Sequence, residues 1–412
     1  MKRFAAAVTL VAIFLVGPSL HAQSQAGFRL FDQKCASCHQ AVANAPGAPP
    51  ASQLRRMSAE VIYSALTAGK HAALPGPTPD EKKLVSAYLG GRKVNMAEIG
   101  DAARMSNRCA TNPPLGNISN RPMWNGWGVD ATNGRYQPAK AAGLTPEQVP
   151  QLKLKWAFGL PEAEEVYGQP TIAAGRVFVS SDMGTLYSLD AATGCVYWSF
   201  QAEGGMRNAV SIAPIKGQSG KYALYFGDVR GNVYRIDAAT GAQLWKVSVE
   251  EHPVAQITAA PILHEDKLYV AVSSAEERAA GTGAAYECCT FRGSVVALDA
   301  ASGKRFWKTY IIPDAPKVVG KTPKGVQRWA PAGAAIWMTP TIDAQRRALY
   351  IGTGDSYTTP APNTTDAVMA LDLATGKILW TMQDQANDAW IVGCGGATKS
   401  ENCPADLGPD ND

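Results

Sequence analysis

Cys35, Cys38 and His39 form a Cys-x-x-Cys-His motif near the N-terminus. Two thiols at this spacing can bind a haem through thioether bonds, and the adjoining histidine can serve as an axial ligand of the iron. A redox-active dithiol or half of a zinc site would use the same cysteines. No second Cys/His cluster in the sequence has metal-ligand spacing, and the histidine favours haem. The motif therefore predicts covalently bound haem c and a role in electron transfer.

The first residues predict export from the cytoplasm. Lys2 and Arg3 precede an apolar run over 4–16, and small residues follow near residue 22. This is the pattern of a secretory signal peptide, here 1–22, and the run is too short for a stable membrane span. We therefore expect a periplasmic protein with no membrane span.

The remaining cysteines can form disulfides in an oxidising compartment, although their spacing alone does not give the pairing. They are Cys109, Cys195, Cys288, Cys289, Cys394 and Cys403. The chain has 39 lysines and arginines against 35 aspartates and glutamates. Because this charge is nearly balanced, the sequence does not indicate nucleic acid or anionic lipid as a partner.

Residues 23–91 are predicted to form a small all-α cytochrome c domain. An aromatic stretch, 28–31, leads into the haem motif, and 58–68 and 80–89 carry apolar residues at helical spacing. The next stretch, 92–120, is rich in Gly, Pro, Asn and Ser, which predicts a linker.

A repeat predicts the fold of 121–412. Each copy contains an Asp that is followed by Thr-Gly or Ser-Gly at the third and fourth residues and by Trp at the eighth. The aspartates are Asp190, Asp237, Asp299 and Asp372. Two further strands precede each copy, which gives four short strands per unit, the pattern of a β-propeller blade. We expect the Asp-x-x-Thr-Gly segment to form the turn between the third and fourth strands. The Trp is expected to pack blade on blade, and neither feature to be catalytic.

Successive repeats grow longer, with 47, 62 and 73 residues between their aspartates. The surplus falls in 275–292, 312–337 and 354–365, in loops that open on the same face of a propeller. Loops on a rigid scaffold commonly carry function. This face is therefore predicted to hold the functional site.

The repeat has the form Ala-Leu-Asp-x-x-Thr-Gly-x-x-x-Trp, and it follows a segment, 124–138, that begins Trp-Asn-Gly-Trp-Gly-Val-Asp. Together with the haem motif, this combination resembles the quinohaemoprotein alcohol dehydrogenases that depend on pyrroloquinoline quinone (PQQ), over essentially the whole mature chain. The resemblance implies a mainly β fold, a PQQ-type β-propeller preceded by the cytochrome c domain, with PQQ, haem c and Ca²⁺ as cofactors. It also implies oxidation of secondary hydroxyl groups in polyvinyl alcohol or a smaller alcohol. Electrons would pass from PQQ to haem, and then to a downstream cytochrome or another acceptor.

Four residues of the extended loops and nearby strands match sites of this family. Asp388 resembles the base that takes the hydroxyl proton, although a loop carboxylate can also be merely solvated. Trp337 resembles the tryptophan on which the quinone lies, with ordinary packing as the alternative. Thr258 and Ser274 resemble the hydroxyl residues that hold the carboxylates of the cofactor.

Calcium prefers oxygen ligands, and two acidic residues resemble the calcium ligands of the family. Glu276 follows the end of a predicted strand, with Glu277 and Glu287 as alternatives. Asp355 stands where the family usually has Asn. The resemblance therefore implies a calcium site in these loops.

Cys288 and Cys289 are adjacent in the chain. Relatives stack a vicinal disulfide on the quinone, but in an earlier blade than this pair occupies. Because disulfide geometry is demanding, adjacent cysteines rarely pair, and each could instead pair elsewhere or stay free. Cys394 and Cys403 are expected to close a local loop.

The sixth ligand of the haem iron is left open by the sequence. The family usually supplies a methionine in a Gly-x-Met context, whereas this chain has Gly69-Lys70-His71. A histidine here would lower the reduction potential relative to methionine. Met57 and Met96 are the alternatives.

Four full repeats fit before residue 412, whereas an eight-bladed ring of about 45 residues per blade needs far more chain. We therefore expect about half of such a ring, in a sequence truncated at its C-terminus that lacks further cofactor contacts. The alternative function is a non-catalytic propeller that binds a partner, with the haem as an independent electron carrier. Reduction of the quinone by an alcohol would distinguish the two.

Overall fold

The computed structural model describes residues 20–39, 48–49, 51–55, 57–68, 71, 76–118, 122–282, 286–395 and 399–409. The predicted signal peptide, 1–22, lies almost entirely outside these residues. The α-helices are α1 (Leu20–Lys34), α2 (Ala36–His39), α3 (Ala51–Leu54), α4 (Ala59–Ala68), α5 (Pro79–Gly90), α6 (Met96–Ile99), α7 (Ala139–Ala142) and α8 (Glu276–Thr282). None of the helices in the described ranges is both long and apolar enough to cross a membrane.

Helices α1, α4 and α5 pack together ahead of the first sheet. Their shared core consists of four buried side chains, Phe31, Ile62, Val85 and Leu89. Helix α5 begins with a capping box, in which the Thr78 hydroxyl accepts from the Glu81 N–H and the Glu81 carboxylate accepts from the Thr78 N–H. The helices expected at 58–68 and 80–89 are thus confirmed as α4 and α5.

Four antiparallel sheets follow, each with four strands in chain order and one with an added fifth strand, which confirms the predicted blades. The first blade has β1 (Thr171–Ala173), β2 (Arg176–Ser180), β3 (Thr185–Asp190) and β4 (Val196–Gln201), and the second has β5 (Ser211–Pro214), β6 (Tyr222–Gly227), β7 (Asn232–Asp237) and β8 (Gln243–Ser248). The third blade has β10 (Ile262–His264), β11 (Lys267–Ser274), β12 (Ser294–Asp299) and β13 (Arg305–Tyr310). A short extra strand, β9 (Ala255–Gln256), pairs with the end of β11. A separate hairpin of β14 (Lys317–Lys321) and β15 (Gln327–Ala330) precedes the fourth blade, which has β16 (Thr341–Asp343), β17 (Ala348–Gly352), β18 (Ala367–Asp372) and β19 (Ile378–Gln383).

The repeated Asp-x-x-Thr-Gly segments form the turns between the third and fourth strands of the blades. In the second blade, Asp237 Oδ1 accepts from the backbone N–H of Ala239 at 3.0 Å and of Thr240 at 2.8 Å. Gly241 follows with φ 76°, a conformation that glycine adopts without strain. A Cβ at Gly241 would lie 2.7 Å from the ring of Trp198, which belongs to the preceding blade.

The same relation recurs along the propeller. The other pairs of ring and turn glycine are Trp156 with Gly194, Trp245 with Gly303 and Trp307 with Gly376. The tryptophan of one blade, or of the segment before the first, therefore covers the turn of the next blade. The predicted structural role of the tryptophans is confirmed.

The cores lie between successive blades. In β11, Leu268 and Val270 pack with side chains of the second blade, whereas Tyr269 and Ala271 pack with the fourth. Successive residues of a strand point to opposite faces of the sheet. A blade with neighbours on both sides is therefore apolar on both faces, which explains the continuous apolar runs in the repeat.

The segment 124–138 joins the inner edges of the blades. The side chain of Asn125 both donates to and accepts from the backbone of Ile212 in β5, at 3.0 and 2.7 Å. Asn133 Nδ2 lies 3.0 Å from Thr341 Oγ1 at the start of β16. This segment therefore connects the second and fourth blades.

Three disulfides join the six cysteines outside the haem motif. Cys394–Cys403 closes a local loop, as expected, and Cys288–Cys289 is vicinal. The third, Cys109–Cys195, ties the predicted linker to the first blade. It resolves the pairing that spacing alone left open.

Candidate functional site

A cavity of about 540 Å³ opens on the face that the extended loops build, beneath helix α5. Trp337, in the loop before β16, lines this cavity with 36% of its surface exposed. Ser274, at the end of β11, also lines it. The structure thus brings together a flat indole and a hydroxyl that were both predicted from sequence.

Two arginines on the cavity wall were missed by sequence reasoning. Arg207 precedes β5 and Arg278 lies in α8, and both line the cavity. Burial, followed by the positive charge of Arg278, lowers the pKa of Arg207. The Arg207 guanidinium also lies 4.3 Å from the centroid of the Tyr167 ring. Three more arginines, one lysine and six carboxylates also line this cavity, so its charges balance overall. Within it, the two guanidinium groups match the geometry of ligand carboxylates.

Asp182, in the turn between β2 and β3, lines the same cavity and is 4% exposed. Its Oδ2 accepts from the N–H groups of Glu164 and Glu165 at 3.4 and 3.3 Å. Burial nevertheless raises the pKa of Asp182 to about 6. A carboxyl group that titrates near neutral pH in a cavity is a candidate for proton exchange.

Glu276, predicted to bind calcium, is completely buried at the start of α8. Its carboxylate accepts from the backbone N–H groups of Thr290 and Phe291, at 2.8 and 2.7 Å, and from the Tyr286 hydroxyl at 3.2 Å. His252 Nε2 lies 3.3 Å from Oε1. Although burial acts to raise it, His252 and the two N–H groups hold the pKa of Glu276 below its ordinary value. The carboxylate therefore holds the following loop in place.

The other predicted calcium residues do not complete a cation site with Glu276. Asp355 is 2% exposed and does not line the cavity, whereas Glu277 does. Burial, and then the charges of Asp355 and Glu277, raise the pKa of Tyr357 well above its usual range, so both carboxylates lie near this phenol. No group of three or more His, Cys, Asp or Glu side chains is placed to hold a metal ion within the described ranges. The calcium site implied by the resemblance therefore stays a prediction.

Asp388, predicted as the base, is completely buried after β19 and lies outside the lining of the cavity. A Cβ at Gly408 would lie 2.3 Å from Asp388 Oδ1, so the segment 399–409 covers this carboxylate. Thr258 also lies outside the lining of the cavity. Its hydroxyl is paired with that of Ser273 at 2.8 Å.

The vicinal disulfide is buried against the hairpin β14–β15. Cys288 and Cys289 are 4% and 0% exposed. The Trp329 N–H donates to the carbonyl of Cys288 at 2.7 Å, and the Cys289 N–H donates to the carbonyl of Trp329 at 3.2 Å. Neither cysteine is part of the lining of the cavity. The disulfide therefore supports the wall behind the site.

His39 of the haem motif is 7% exposed, and its Nδ1 lies 2.7 Å from the carbonyl oxygen of Pro49. A carbonyl oxygen can only accept, so Nδ1 carries the proton and Nε2 is available to a metal. Cys35 lies one helical turn before His39 and Cys38 directly before it, and both cysteines stay outside the disulfides. The two thiols and His39 Nε2 are therefore open to a ligand.

His71 lies beside His39. The centroids of the two rings are 5.8 Å apart and their planes are tilted by 34°. Imidazoles that bind one metal from opposite sides have centroids about 6 Å apart, from about 2 Å per metal–nitrogen bond and about 1 Å to each ring centre. Met57 packs with the core of the helical bundle, whereas Met96 is buried in α6, outside that core. The geometry favours His71 as the partner of His39.

A second cavity of about 580 Å³ adjoins His39. The helices contribute Phe28 and Phe31, and the propeller contributes Tyr286 and Trp329. Four residues line both cavities: Arg55, Tyr88, His252 and Pro253. The two cavities are therefore neighbours at the interface between the helices and the propeller.

The β-propeller belongs to a known family of dehydrogenase domains. The family model for the PQQ β-propeller domain of glucose, ethanol and alcohol dehydrogenases matches residues 124–392, and the chain belongs to this family. It is similar to the polyvinylalcohol dehydrogenase of Pseudomonas sp., at 38% identity over 93% of this chain and 60% of that protein. It is likewise similar to the polyvinylalcohol dehydrogenase of Sphingopyxis sp. (strain 113P3), at 37% identity over 96% of this chain and 61% of that protein.

Solved structures show the same fold. The quinohaemoprotein alcohol dehydrogenase of Comamonas testosteroni superposes with a TM-score of 0.51 at 23% identity, over 66% of this chain and 42% of that one. The resemblance noted in the sequence is therefore confirmed for the family. The chain spans about 60% of the length of the curated relatives it matches.

Proposed function

We propose that this chain carries the quinone and haem sites of an alcohol dehydrogenase. The proposal rests above all on one observation, the two neighbouring cavities with a shared wall. One is lined by the indole of Trp337 and by Arg207 and Arg278, and the other is lined by His39 of the Cys-x-x-Cys-His motif. A scaffold that only binds a partner has no need of this pair.

PQQ is proposed to occupy the cavity that contains Trp337. When bound, it supplies a planar acceptor for the hydride of the alcohol. Trp337 offers a flat apolar surface to such a ring, and Ser274 offers a hydroxyl donor. Arg207 and Arg278 are placed to bind carboxylates of the quinone. Asp388 is proposed as the base from its match to the family motif. It is buried outside the lining of this cavity, so the role requires the alcohol to reach it from behind the wall.

Haem c is proposed to be attached to Cys35 and Cys38 within a cytochrome c domain, 23–91. His39 and His71 would be the axial ligands, which their ring separation supports. The shared wall of the two cavities supports electron transfer from quinone to haem.

The substrate is proposed to be a secondary alcohol group, as the names of the two polyvinylalcohol dehydrogenases suggest. Export by 1–22 would place the protein in the periplasm. A downstream cytochrome or another acceptor would then take the electrons from the haem.

The proposal is tested with protein that carries haem and has been reconstituted with PQQ. Haem reduction is followed by absorbance after addition of alcohols of increasing length, up to polyvinyl alcohol. Asp388→Asn should keep bound PQQ and lower turnover by about two to four orders of magnitude. Asp384→Asn, an exposed aspartate in the same loop, is the control. Near-normal turnover in Asp388→Asn would transfer the base role to Asp182, and no haem reduction by any alcohol would favour a non-catalytic propeller.

Calcium remains a prediction of the family resemblance, and Glu276→Gln separates two roles for this residue. A calcium ligand predicts weaker PQQ retention that excess Ca²⁺ partly restores. A carboxylate that only holds the 286–291 loop predicts a lower melting temperature that calcium does not restore. The hydrogen bonds of Glu276 favour the second outcome.

A further inference from the structure

The hairpin β14–β15 extends from the propeller to the haem motif. Lys321, Lys324, Gln327 and Trp329 of this hairpin and its turn line the same cavity as His39. The cavity is therefore closed by the propeller on one side and by the helices on the other.

Trp329, one of the residues that line this cavity, carries an indole N–H in a buried position. Its Nε1 is buried and has no hydrogen-bond partner among the described residues. An indole N–H can only donate. A buried donor without a partner is unfavourable, so a bound ligand is expected to supply the acceptor.

The charges on the cavity wall favour an anionic acceptor. Three cationic side chains line the cavity, Lys321 and Lys324 on the hairpin and Arg55 on the helical side. Two carboxylates, Asp32 and Glu287, line it as well. Lys324 also pairs with Glu401 at 2.9 Å. Lys321 is thus the lysine best placed to serve a ligand in the cavity.

We propose that this hairpin binds the propionate carboxylates of the haem, with Trp329 Nε1–H and the Lys321 ammonium as donors. The inference rests on the proposed attachment of haem c at Cys35 and Cys38. The propeller then completes the haem site and sets its potential, because a donor or a positive charge beside a propionate favours the reduced iron. Lys324 adds charge to the same wall.

The test measures the reduction potential of the haem by spectroelectrochemical titration. Lys321→Gln and Trp329→Phe should each lower the potential, and high salt should reduce the effect of Lys321→Gln. Lys317→Gln is the matched control, since Lys317 is an exposed lysine of the same hairpin outside the cavity lining. Trp380→Phe is the matched control for the indole, because Trp380 is 46% exposed on β19.

The mass of the denatured protein reports haem attachment separately from the potential. Full haem occupancy with unchanged potentials in both hairpin variants would overturn this inference and leave the proposed haem site intact. A wild-type protein without the haem mass, after expression with a haem-maturation system, would overturn both. Lys321 is exposed, so its substitution tests the proposal even where Trp329→Phe fails to fold.

Discussion

His39 shows how one hydrogen bond prepares a residue for its chemistry. The Pro49 carbonyl accepts a hydrogen bond from Nδ1–H, which leaves Nε2 for a metal. The Glu276 carboxylate instead accepts from two backbone N–H donors, and these hydrogen bonds hold the 286–291 loop. At the residue scale, hydrogen-bond partners therefore show whether a side chain has an open ligand atom or supports a loop.

His71→Ala is expected to change the ferric spectrum of the haem toward that of an iron lacking its sixth protein ligand. His71→Met is expected to raise the reduction potential, because a thioether favours the reduced iron. Absorption and magnetic spectra of the oxidised protein check the first outcome, and a redox titration checks the second. Met57→Leu is the control, and a spectral change there with none in His71→Ala would assign the ligand to Met57.

Asp182→Asn is expected to remove a pH-dependent loss of stability. The folded-state pKa, about 6, lies above the unfolded value of about 4. The contribution of Asp182 to stability is therefore complete below about pH 4 and lost as the pH rises through about 6. Relative to the variant, the wild type should lose about 1–2 kcal/mol of unfolding free energy between pH 4 and 7, a value reduced because the cavity admits water.

Denaturant unfolding at several pH values measures this difference. Asp384→Asn, at an exposed position, should not alter the pH dependence. Parallel curves for the wild type and Asp182→Asn would contradict the assignment.

The sequence indicated Trp337 and Ser274 because each stands in a motif with a family counterpart, and both line the cavity. It did not indicate Arg207 or Arg278, since an arginine in a loop has no periodicity or spacing that reveals its direction. Their significance comes from convergence in space, 71 residues apart in the chain. Asp388 was predicted from its motif, but its cover by the 399–409 segment depends on contacts that no local pattern records.

At the scale of elements, the turn between the third and fourth strands places two structural requirements on its glycine. Gly241 needs a positive φ and also lies against the ring of Trp198. Both demands exclude a Cβ, which explains why glycine recurs with the Asp-x-x-Thr frame. The repeat is therefore a packing motif between blades.

Gly241→Ala is expected to destabilise the protein by about 2–4 kcal/mol, from about 1 kcal/mol for the left-handed backbone and about 1–3 kcal/mol for overpacking against Trp198. Gly217→Ala is the matched control. Gly217 has φ 75°, but a methyl group added there would meet no atom within 4 Å, so only the backbone cost applies. Denaturant midpoints check the difference, and equal losses at the two glycines would show that the ring contact contributes nothing.

Regular elements were predictable and irregular ones were not. Helices α4 and α5 and the sixteen-strand pattern of four blades follow from periodicity and repeats. The hairpin β14–β15 was assigned only as surplus loop, because its Lys-, Gly- and Pro-containing sequence lacks an alternating pattern. Its pairing depends on docking beside Cys288 and Cys289.

At the scale of the whole molecule, the helices and the propeller are joined by covalent and polar links. The Gly205 N–H donates to the carbonyl of Gly91 at 3.0 Å, and Arg230 donates to the carbonyl of Arg55. The Cys109–Cys195 disulfide fixes the connecting segment to the first blade across 86 residues of sequence. These links hold the two cavities against each other.

Replacing Cys109 and Cys195 together by serine is expected to lower stability by about 4 kcal/mol, since a long closed loop strongly restricts the unfolded chain. The same change at Cys394 and Cys403, nine residues apart, should cost about 2–3 kcal/mol. Denaturant unfolding of both double variants gives the comparison. A larger loss for the short loop would show that native-state packing, and not chain entropy, dominates.

The tryptophan of each blade packs on the turn glycine of the blade that follows it in the chain, so the contacts between blades follow the order of the sequence. The ribosome delivers Trp198 before Gly241 and Trp245 before Gly303, so each finished blade offers a surface on which the next can form. Coupling of this kind passes between nearest neighbours, as in a one-dimensional array. We therefore expect the blades to form in the order of synthesis, each on the surface of the one before it. A defect at one turn should weaken one contact between blades and leave the earlier blades folded.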